Sequence, residues 1–332
     1  MCRSSKLANL YILLLLIVST ACAPAATPVP PTATNPPPPT NTPVPPPTNT
    51  PAPTLTPTPA PELERLPLPE SVVDGMFDVG DHQLYLVCYG EGSPTVILEH
   101  GWGADSSTWD RIVPYIATKT RVCAYDRASS GRSDFAKNRR TLAQVGEELS
   151  NLLQAAKIDG PYVLAGHSLG GFLVLNYASL YPATAAGLVL VDSAYLDDCA
   201  NVLKMLPTPS PQEARGIADT RKACKSLENW KMEGIADIDP AIRAIKSLGD
   251  IPLVVVVHAS VSKITEAWYP GVAADLVDKL EQLWRDEQKE YTQLSTNSTF
   301  ILAKNSAHFV QNDEPQLVID AILDLVDTAR QK

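Results

Sequence analysis

The sequence predicts an α/β domain in which helices cover both faces of a mainly parallel sheet. Short apolar runs typical of buried strands, such as 95–99 and 251–257, alternate with longer segments of helical periodicity, such as 142–158. This alternation is typical of parallel strands joined by crossover helices. The chain has 332 residues, which is enough for one large domain of this class with additional segments.

The composition excludes some classes of partner. The net charge is −10 and the sequence has no basic cluster, so we expect no nucleic-acid partner. Six cysteines are too few for a disulfide scaffold but fit one or two bridges in an oxidising compartment. Their spacing does not match a metal-ligand pattern, and the sequence predicts no metal or cofactor.

The first 22 residues are typical of an export signal. Basic Arg3 and Lys6 precede an apolar run at 10–18 that is short for a bilayer span. Small residues at 19–21 precede Cys22, and this arrangement resembles a bacterial lipoprotein processing site. We expect an exported protein of the cell envelope, facing periplasm or exterior, with Cys22 as the lipidation candidate and membrane anchor. Simple cleavage and an uncleaved anchor remain alternatives.

Residues 23–70 are dominated by proline and threonine, and no charged residue occurs between Lys6 and Glu62. Such a segment cannot bury a core and favours extended polyproline conformations. We predict a disordered linker that holds the following domain away from the membrane.

The folded domain is predicted over 71–332. Tyr195 to Leu248 interrupts the alternation of strands and helices and contains several prolines, so we interpret about 195–249 as an inserted cap. The remaining pattern predicts strands at 80–89, 95–99, 121–125, 186–191, 251–257 and 299–303, with one more ending at Gly166, and helices at 142–158, 272–294 and 315–329.

The sequence centres on Gly166-His167-Ser168-Leu169-Gly170, which joins a buried strand to an apolar helix. Gly-x-Ser-x-Gly in this context predicts a nucleophile elbow, in which a strained turn exposes the serine hydroxyl. The alternative is a glycine-rich turn with an incidental serine.

Several segments form a recognisable pattern along the chain. They are His100-Gly101-Trp102-Gly103, Tyr125-Asp126-Arg127 with Gly131 and Ser133, Gly166 to Gly171, Leu188 to Ser193 and Ala307-His308-Phe309. Together they resemble the α/β-hydrolase superfamily, in its serine hydrolase and esterase-like branch, over about 72–330. The resemblance implies an eight-stranded, mostly parallel sheet with a small helical cap.

The resemblance implies that Ser168 is the nucleophile and that His308, in a loop before the last helix, is its base. The acid is less regular, since no carboxylate follows the strand ending at Val257 until Glu266. Some branches of the family place the acid where Asp192 stands, so we predict Asp192, with Glu266 as the alternative and a structural role for Asp192 as another.

The other histidines and one charged pair are not assigned to the site. His258 ends a strand but has no identifiable partner in the sequence. Asp126 and Arg127 are interpreted as a structural turn.

The resemblance also implies an oxyanion hole built from the backbone amides of Trp102 and Leu169. The family's strand order makes the strands of Cys88 and Cys123 neighbours, which favours a disulfide between them. Cys199 and Cys224 both fall in the cap and are candidates for a second one. Four buried thiols are the alternative.

We therefore predict a serine hydrolase that cleaves a small-molecule carboxylic ester through an acyl-enzyme. A peptidase, an amidase or an acyltransferase on the same fold is the alternative, as is a non-catalytic surface-tethered binding module. A serine at position 168 argues against dehalogenase and epoxide hydrolase chemistry, which need a carboxylate nucleophile. The sequence leaves the substrate's identity and the oligomeric state open.

Overall fold

A computed structural model gives the structure of residues 63–227, 233–260, 263–265, 269 and 271–332. The predicted signal, Cys22, most of the predicted linker and Glu266 lie outside these residues. Among the described residues, no helix combines the length and apolar character needed to cross a bilayer.

The described part of the chain forms one eight-stranded sheet in the order β1-β2-β4-β3-β5-β6-β7-β8. The two pairings of β2 are antiparallel and the five others are parallel, so the predicted mostly parallel sheet is confirmed. The strands are β1 Ser71–Asp78, β2 Gln83–Tyr89, β3 Thr95–Glu99, β4 Val122–Asp126, β5 Tyr162–His167, β6 Ala185–Val191, β7 Leu253–His258 and β8 Ser298–Ala303.

Among the strands of the sheet, β1 is the one that the sequence analysis did not predict. Its side chains alternate between half-buried and exposed, whereas β3 to β7 are almost wholly buried. Edge strands need only one apolar face, so their sequences mix polar and apolar residues and lack the continuous apolar run of a central strand.

Helices cover both faces of the sheet, as predicted. Leu149 and Phe172 belong to the core on one face, and Ile116 and Ile322 to the core on the other. The helices are α1 Val113–Ala117, α2 Leu142–Ala155, α3 Leu169–Leu180, α4 Asp198–Met205, α5 Arg215–Leu227, α6 Ile238–Ala244, α7 Ala274–Glu290, α8 Val310–Asp313 and α9 Pro315–Arg330.

The segment predicted as a cap contains α4, α5 and α6. Val202 of α4 and Ile217 of α5 pack with Leu280 of α7 in an apolar cluster separate from the two main cores. Ile238 and Ile242 of α6 instead join the main core. The first half of the segment therefore packs beside α7, and its second half is integrated into the domain.

Two disulfides join neighbouring elements. Cys88 of β2 and Cys123 of β4 face each other in the antiparallel register and are bonded. Cys199 and Cys224 form a bond that links α4 to α5.

Candidate active site

The candidate catalytic residues follow the carboxyl ends of neighbouring parallel strands. Because β3, β5, β6, β7 and β8 are adjacent and parallel, the residues after them meet at one edge of the sheet. These residues are Gly101 after β3, Ser168 after β5, Asp192 after β6, His258 at the end of β7 and His308 after β8.

Ser168 lies between β5 and α3 in a strained backbone conformation, with φ 53° and ψ −120°. Its N–H donates to the Val191 carbonyl at 3.1 Å, and its carbonyl accepts from the N–H groups of Gly171 and Ala194, each at 2.9 Å. These bonds hold the turn in place, and the Ser168 side chain remains partly accessible.

Two glycines allow this turn to form. A Cβ on Gly166 would overlap the backbone of Gly170, and a Cβ on Gly170 would overlap the carbonyl of Glu99. Both positions therefore require the close backbone approach that only glycine permits. The two glycines of the Gly-x-Ser-x-Gly pattern are therefore required for steric reasons.

His308 and Asp192 are paired at the edge of the sheet. Nδ1 of His308 lies 2.6 Å from Oδ2 of the fully buried Asp192. An Nδ1–H donated to this carboxylate leaves Nε2 of a neutral His308 as a proton acceptor. This is the arrangement that a general base requires.

The loop carrying His308 is fixed to the elbow by His167. Nε2 of His167 donates to the His308 carbonyl at 2.9 Å, and the two rings are 4.6 Å apart. Burial lowers the pKa of His167 to about 3, so this ring is neutral and acts as a hydrogen-bond donor. The sequence analysis did not assign His167 to the site and missed this contact.

Asp192 also contacts groups that the sequence analysis did not connect with it. Nδ1 of His258 lies 2.7 Å from Oδ2, the His258 backbone N–H donates to Oδ1 at 3.2 Å, and Nε1 of Trp284 donates to Oδ1 at 3.0 Å. On the far side of its ring, Nε2 of His258 lies 2.7 Å from Oε2 of Glu281. Glu281 and Trp284 lie three residues apart on one face of α7.

Opposing effects act on the pKa of Asp192. Burial by itself would raise it, but the charge and hydrogen bond of His258, followed by those of His308, outweigh burial and hold it well below its usual range. Asp192 is therefore ionised at neutral pH.

The segment after β3 lies against the elbow. A Cβ built on Gly101 would lie 3.2 Å from Cβ of Ser168. The Gly101 carbonyl accepts from Nδ1 of His100 at 2.8 Å and from Nη2 of Arg127 at 3.1 Å. Because a trans peptide directs its N–H opposite to its C=O, these two bonds fix the direction of the Trp102 amide.

Arg127 connects this segment to residues far along the chain. Its side chain is buried, donates to Glu99 and to the His100 carbonyl, and forms a two-bond pair with Glu233, at 2.7 Å for each bond. The sequence analysis interpreted Arg127 as part of a turn, because nothing local indicates a partner 106 residues away.

A cavity of about 260 Å³ lies beside His308 and His258. Its walls come from the predicted cap, from α7 and from residues after β7, and they include the Cys199–Cys224 disulfide. The apolar and aromatic side chains that line it are Val202, Ala223, Ile264, Tyr269, Leu280 and Trp284. Three carboxyl side chains, those of Asp198, Asp219 and Glu281, line it as well. Within the described residues, no group of three or more His, Cys, Asp or Glu side chains is arranged to hold a metal ion.

Comparison with known proteins agrees with this architecture. Residues 94–222 match the model of the alpha/beta hydrolase fold family. The chain is 32% identical over 243 residues to the uncharacterized protein YqjL of Bacillus subtilis, covering 73% of this chain and 87% of YqjL. The protein belongs to the α/β-hydrolase family, so the predicted superfamily is confirmed.

Solved structures share the fold at low sequence identity. A thermophilic esterase from Thermogutta terrifontis superimposes with a TM-score of 0.53 at 18% identity, covering 79% of this chain and 99% of the esterase. The epoxide hydrolase CorEH superimposes with a TM-score of 0.53 at 18% identity, covering 76% of this chain and 98% of CorEH. One fold thus carries different reactions, so the reaction must be argued from the site.

Proposed function

We propose that this protein is a serine hydrolase that cleaves a small carboxylic ester through an acyl-enzyme intermediate. The observation that carries the proposal is the 2.6 Å pairing of His308 with Asp192, at the same edge of the sheet as a serine held in a strained strand-to-helix turn. A serine hydroxyl becomes a useful nucleophile only when a base can accept its proton, and an acid must orient that base.

In the proposed reaction, Ser168 attacks the carbonyl carbon of the ester while Nε2 of His308 accepts the hydroxyl proton. Asp192 stabilises the imidazolium that forms. His308 then protonates the leaving alcohol, and the acyl group remains on Ser168. Water, deprotonated by His308, attacks the acyl-enzyme and releases the acid.

The backbone amides of Trp102 and Leu169 are the proposed oxyanion donors. Leu169 is the first residue of α3, where amide N–H groups have no partner within the helix and the helix dipole favours negative charge. The contacts of His100 and Arg127 to the Gly101 carbonyl support a fixed direction for the Trp102 amide. One such donor contributes roughly 3 kcal/mol to transition-state stabilisation.

The cavity supports a small ester as substrate. Its volume of about 260 Å³ is below the ~300–1,000 Å³ of most drug-sized ligand sites, and the carboxyl groups of Asp198, Asp219 and Glu281 beside its apolar side chains disfavour a negatively charged group. Amide hydrolysis or acyl transfer would use the same groups and remain the alternatives.

Export and anchoring through residues 1–22 and Cys22 also remain proposals. Disulfides persist in oxidising compartments, so the two bridges support an exterior or periplasmic location.

The function is tested with a chain-length series of p-nitrophenyl esters and the full chain. We expect turnover by the wild type, with acetate and butyrate preferred over palmitate. Ser168→Ala should lower kcat by about 10⁶-fold. Asp192→Asn should lower it by about 10⁴-fold, because His308 is no longer held in the tautomer that accepts the serine proton. Ser150→Ala, on α2, is the matched control.

Three outcomes would contradict the proposal or one of its assignments. Turnover that survives in Ser168→Ala would exclude this serine as nucleophile. A large loss in Glu266→Gln with near wild-type activity in Asp192→Asn would assign the acid to Glu266. Binding of cells or polymer without turnover or fluorophosphonate labelling would favour the surface-module alternative.

A further inference from the structure

Strand order explains why His258 lies next to Asp192. Strand β7 lies between β6 and β8, so Asp192 reaches His308 across the end of β7. His258 is the last residue of β7, and both its backbone N–H and its ring contact the Asp192 carboxylate. The strand itself therefore fixes this histidine between the acid and α7.

The ring of His258 is held between two carboxylates. Nδ1 is 2.7 Å from Asp192 and Nε2 is 2.7 Å from Glu281, and all three side chains are buried. A neutral imidazole has one N–H and can donate to only one of them, whereas an imidazolium donates to both. Burial would lower the pKa of His258, but Asp192 and then Glu281 raise it to about 10.

The charges around this group can be counted. An ionised Asp192, a protonated His258 and an ionised Glu281 sum to −1, the charge of a lone carboxylate. Among the described residues, further titratable groups that interact with these residues or with His308 include His167, which is neutral, Asp198, whose pKa burial raises to about 6, and Tyr269, whose pKa burial raises above its usual range.

This charge count matters for the base. A protonated His258 alone on Asp192 would cancel the negative charge that stabilises a protonated His308. Glu281 supplies a second negative charge on the opposite side of the His258 ring and restores the net attraction. Four hydrogen-bond contacts, from His308, Trp284 and the ring and backbone of His258, also lock the Asp192 carboxylate in one orientation.

We propose that His258 and Glu281 are positioning residues. Together with Asp192 they form a three-group relay, Asp192–His258–Glu281, which orients the acid and sets the proton affinity of His308. The inference rests on the proposed function for its catalytic meaning. The effect of the charges at Glu281 and His258 on the titration of His308 can be measured whether or not the protein hydrolyses esters.

The experiment is an NMR titration of the full chain with ¹³C-labelled histidine, combined with the pH profile of kcat/KM for p-nitrophenyl butyrate. The chain has five histidines, so single His→Gln variants assign each signal. The wild type, Glu281→Gln, His258→Gln and the double variant are compared. Glu147→Gln, on an exposed position of α2, is the matched control.

The two single variants should move the His308 titration in opposite directions. Glu281→Gln removes a negative charge and should lower the His308 midpoint by about one pH unit. His258→Gln removes a positive charge and should raise it by a similar amount. The double variant restores a net charge of −1 and should return the midpoint close to that of the wild type, as should Glu147→Gln.

A purely structural role does not predict opposite shifts that cancel in the double variant. Midpoints of His308 that coincide in all variants, or that move in the same direction in both single variants, would overturn the relay. Opposite shifts without Ser168-dependent turnover would support the relay and reject the ester hydrolase proposal. Turnover that depends on Ser168, without these shifts, would overturn the relay and support the ester hydrolase proposal.

Discussion

At the scale of single residues, two histidines share one buried carboxylate. His308 faces the partly accessible side of the site, while His258 lies between Asp192 and Glu281. The residues are of the same type and contact the same oxygen, but their surroundings differ. The first is placed to exchange a proton, and the second remains charged because carboxylates lie on both sides of its ring.

The raised pKa of His258 predicts how stability depends on pH. The unfolded value is about 6.5 and the folded value is about 10, so folding favours the protonated form. The stabilisation is complete below about pH 6.5 and is lost as pH rises towards 10. Urea unfolding at several pH values should show wild-type stability falling over this range more steeply than that of His258→Gln. If the unfolding free energies of the two proteins changed with pH in parallel, the prediction that His258 is protonated in the folded state would be wrong.

At the scale of elements, the elbow depends on close backbone packing between β3, β5 and the start of α3. Gly170 lies against the carbonyls of Glu99 and His100, so the first turn of α3 lies directly on the end of β3. This contact places Ser168 beside the segment that carries Trp102. The same close approach that exposes the hydroxyl therefore assembles the proposed oxyanion donors.

Gly170→Ala should destabilise the protein by about 1–3 kcal/mol, because the new methyl group would overlap backbone that cannot move aside. Esterase activity should fall with it, since Ser168 and Trp102 would be pushed apart. Gly75→Ala in β1 is the control, because the atom nearest to its Cβ would be 4.0 Å away. Urea denaturation measures both variants, and equal stabilities would show that the first turn of α3 can relax.

At the scale of the whole molecule, the antiparallel end of the sheet is cross-linked, and the acid and the two histidines that contact it lie at the three strands of the opposite end. The Cys88–Cys123 disulfide joins β2 to β4, whereas Asp192, His258 and His308 follow β6, β7 and β8. This disulfide is therefore several strands away from Asp192, His258 and His308. The Cys199–Cys224 disulfide differs, since it lines the cavity beside His308.

Removing the first disulfide should therefore affect stability more than activity. The Cys88→Ala/Cys123→Ala variant opens a loop of 35 residues, and loop entropy alone predicts a loss of about 3–4 kcal/mol. Its KM should stay near that of the wild type, whereas Cys199→Ala/Cys224→Ala should change KM by altering the cavity wall. Guanidinium denaturation and ester kinetics are measured for both double variants. An unfolding free energy of Cys88→Ala/Cys123→Ala equal to that of the wild type would contradict the prediction.

The sequence by itself determined the fold class and the elbow with Ser168 as a candidate, and its resemblance to the α/β-hydrolase superfamily supplied His308 and Asp192 as further candidates. The fold class and the elbow follow from local patterns, since a buried parallel strand needs a continuous apolar run and a tight strand-to-helix turn needs glycines around its serine. The edge strand β1 was missed because its half-buried pattern gives a weak local signal.

Only the tertiary structure decided which groups surround the acid. Asp192 meets His308 across 116 residues, His258 meets Asp192 across 66, and Arg127 meets Glu233 across 106. Such contacts depend on strand order and on how the helices pack over the sheet, and no local pattern in the chain encodes them. For this reason His258 had no identifiable partner in the sequence, although it ends the strand that separates the acid from the base.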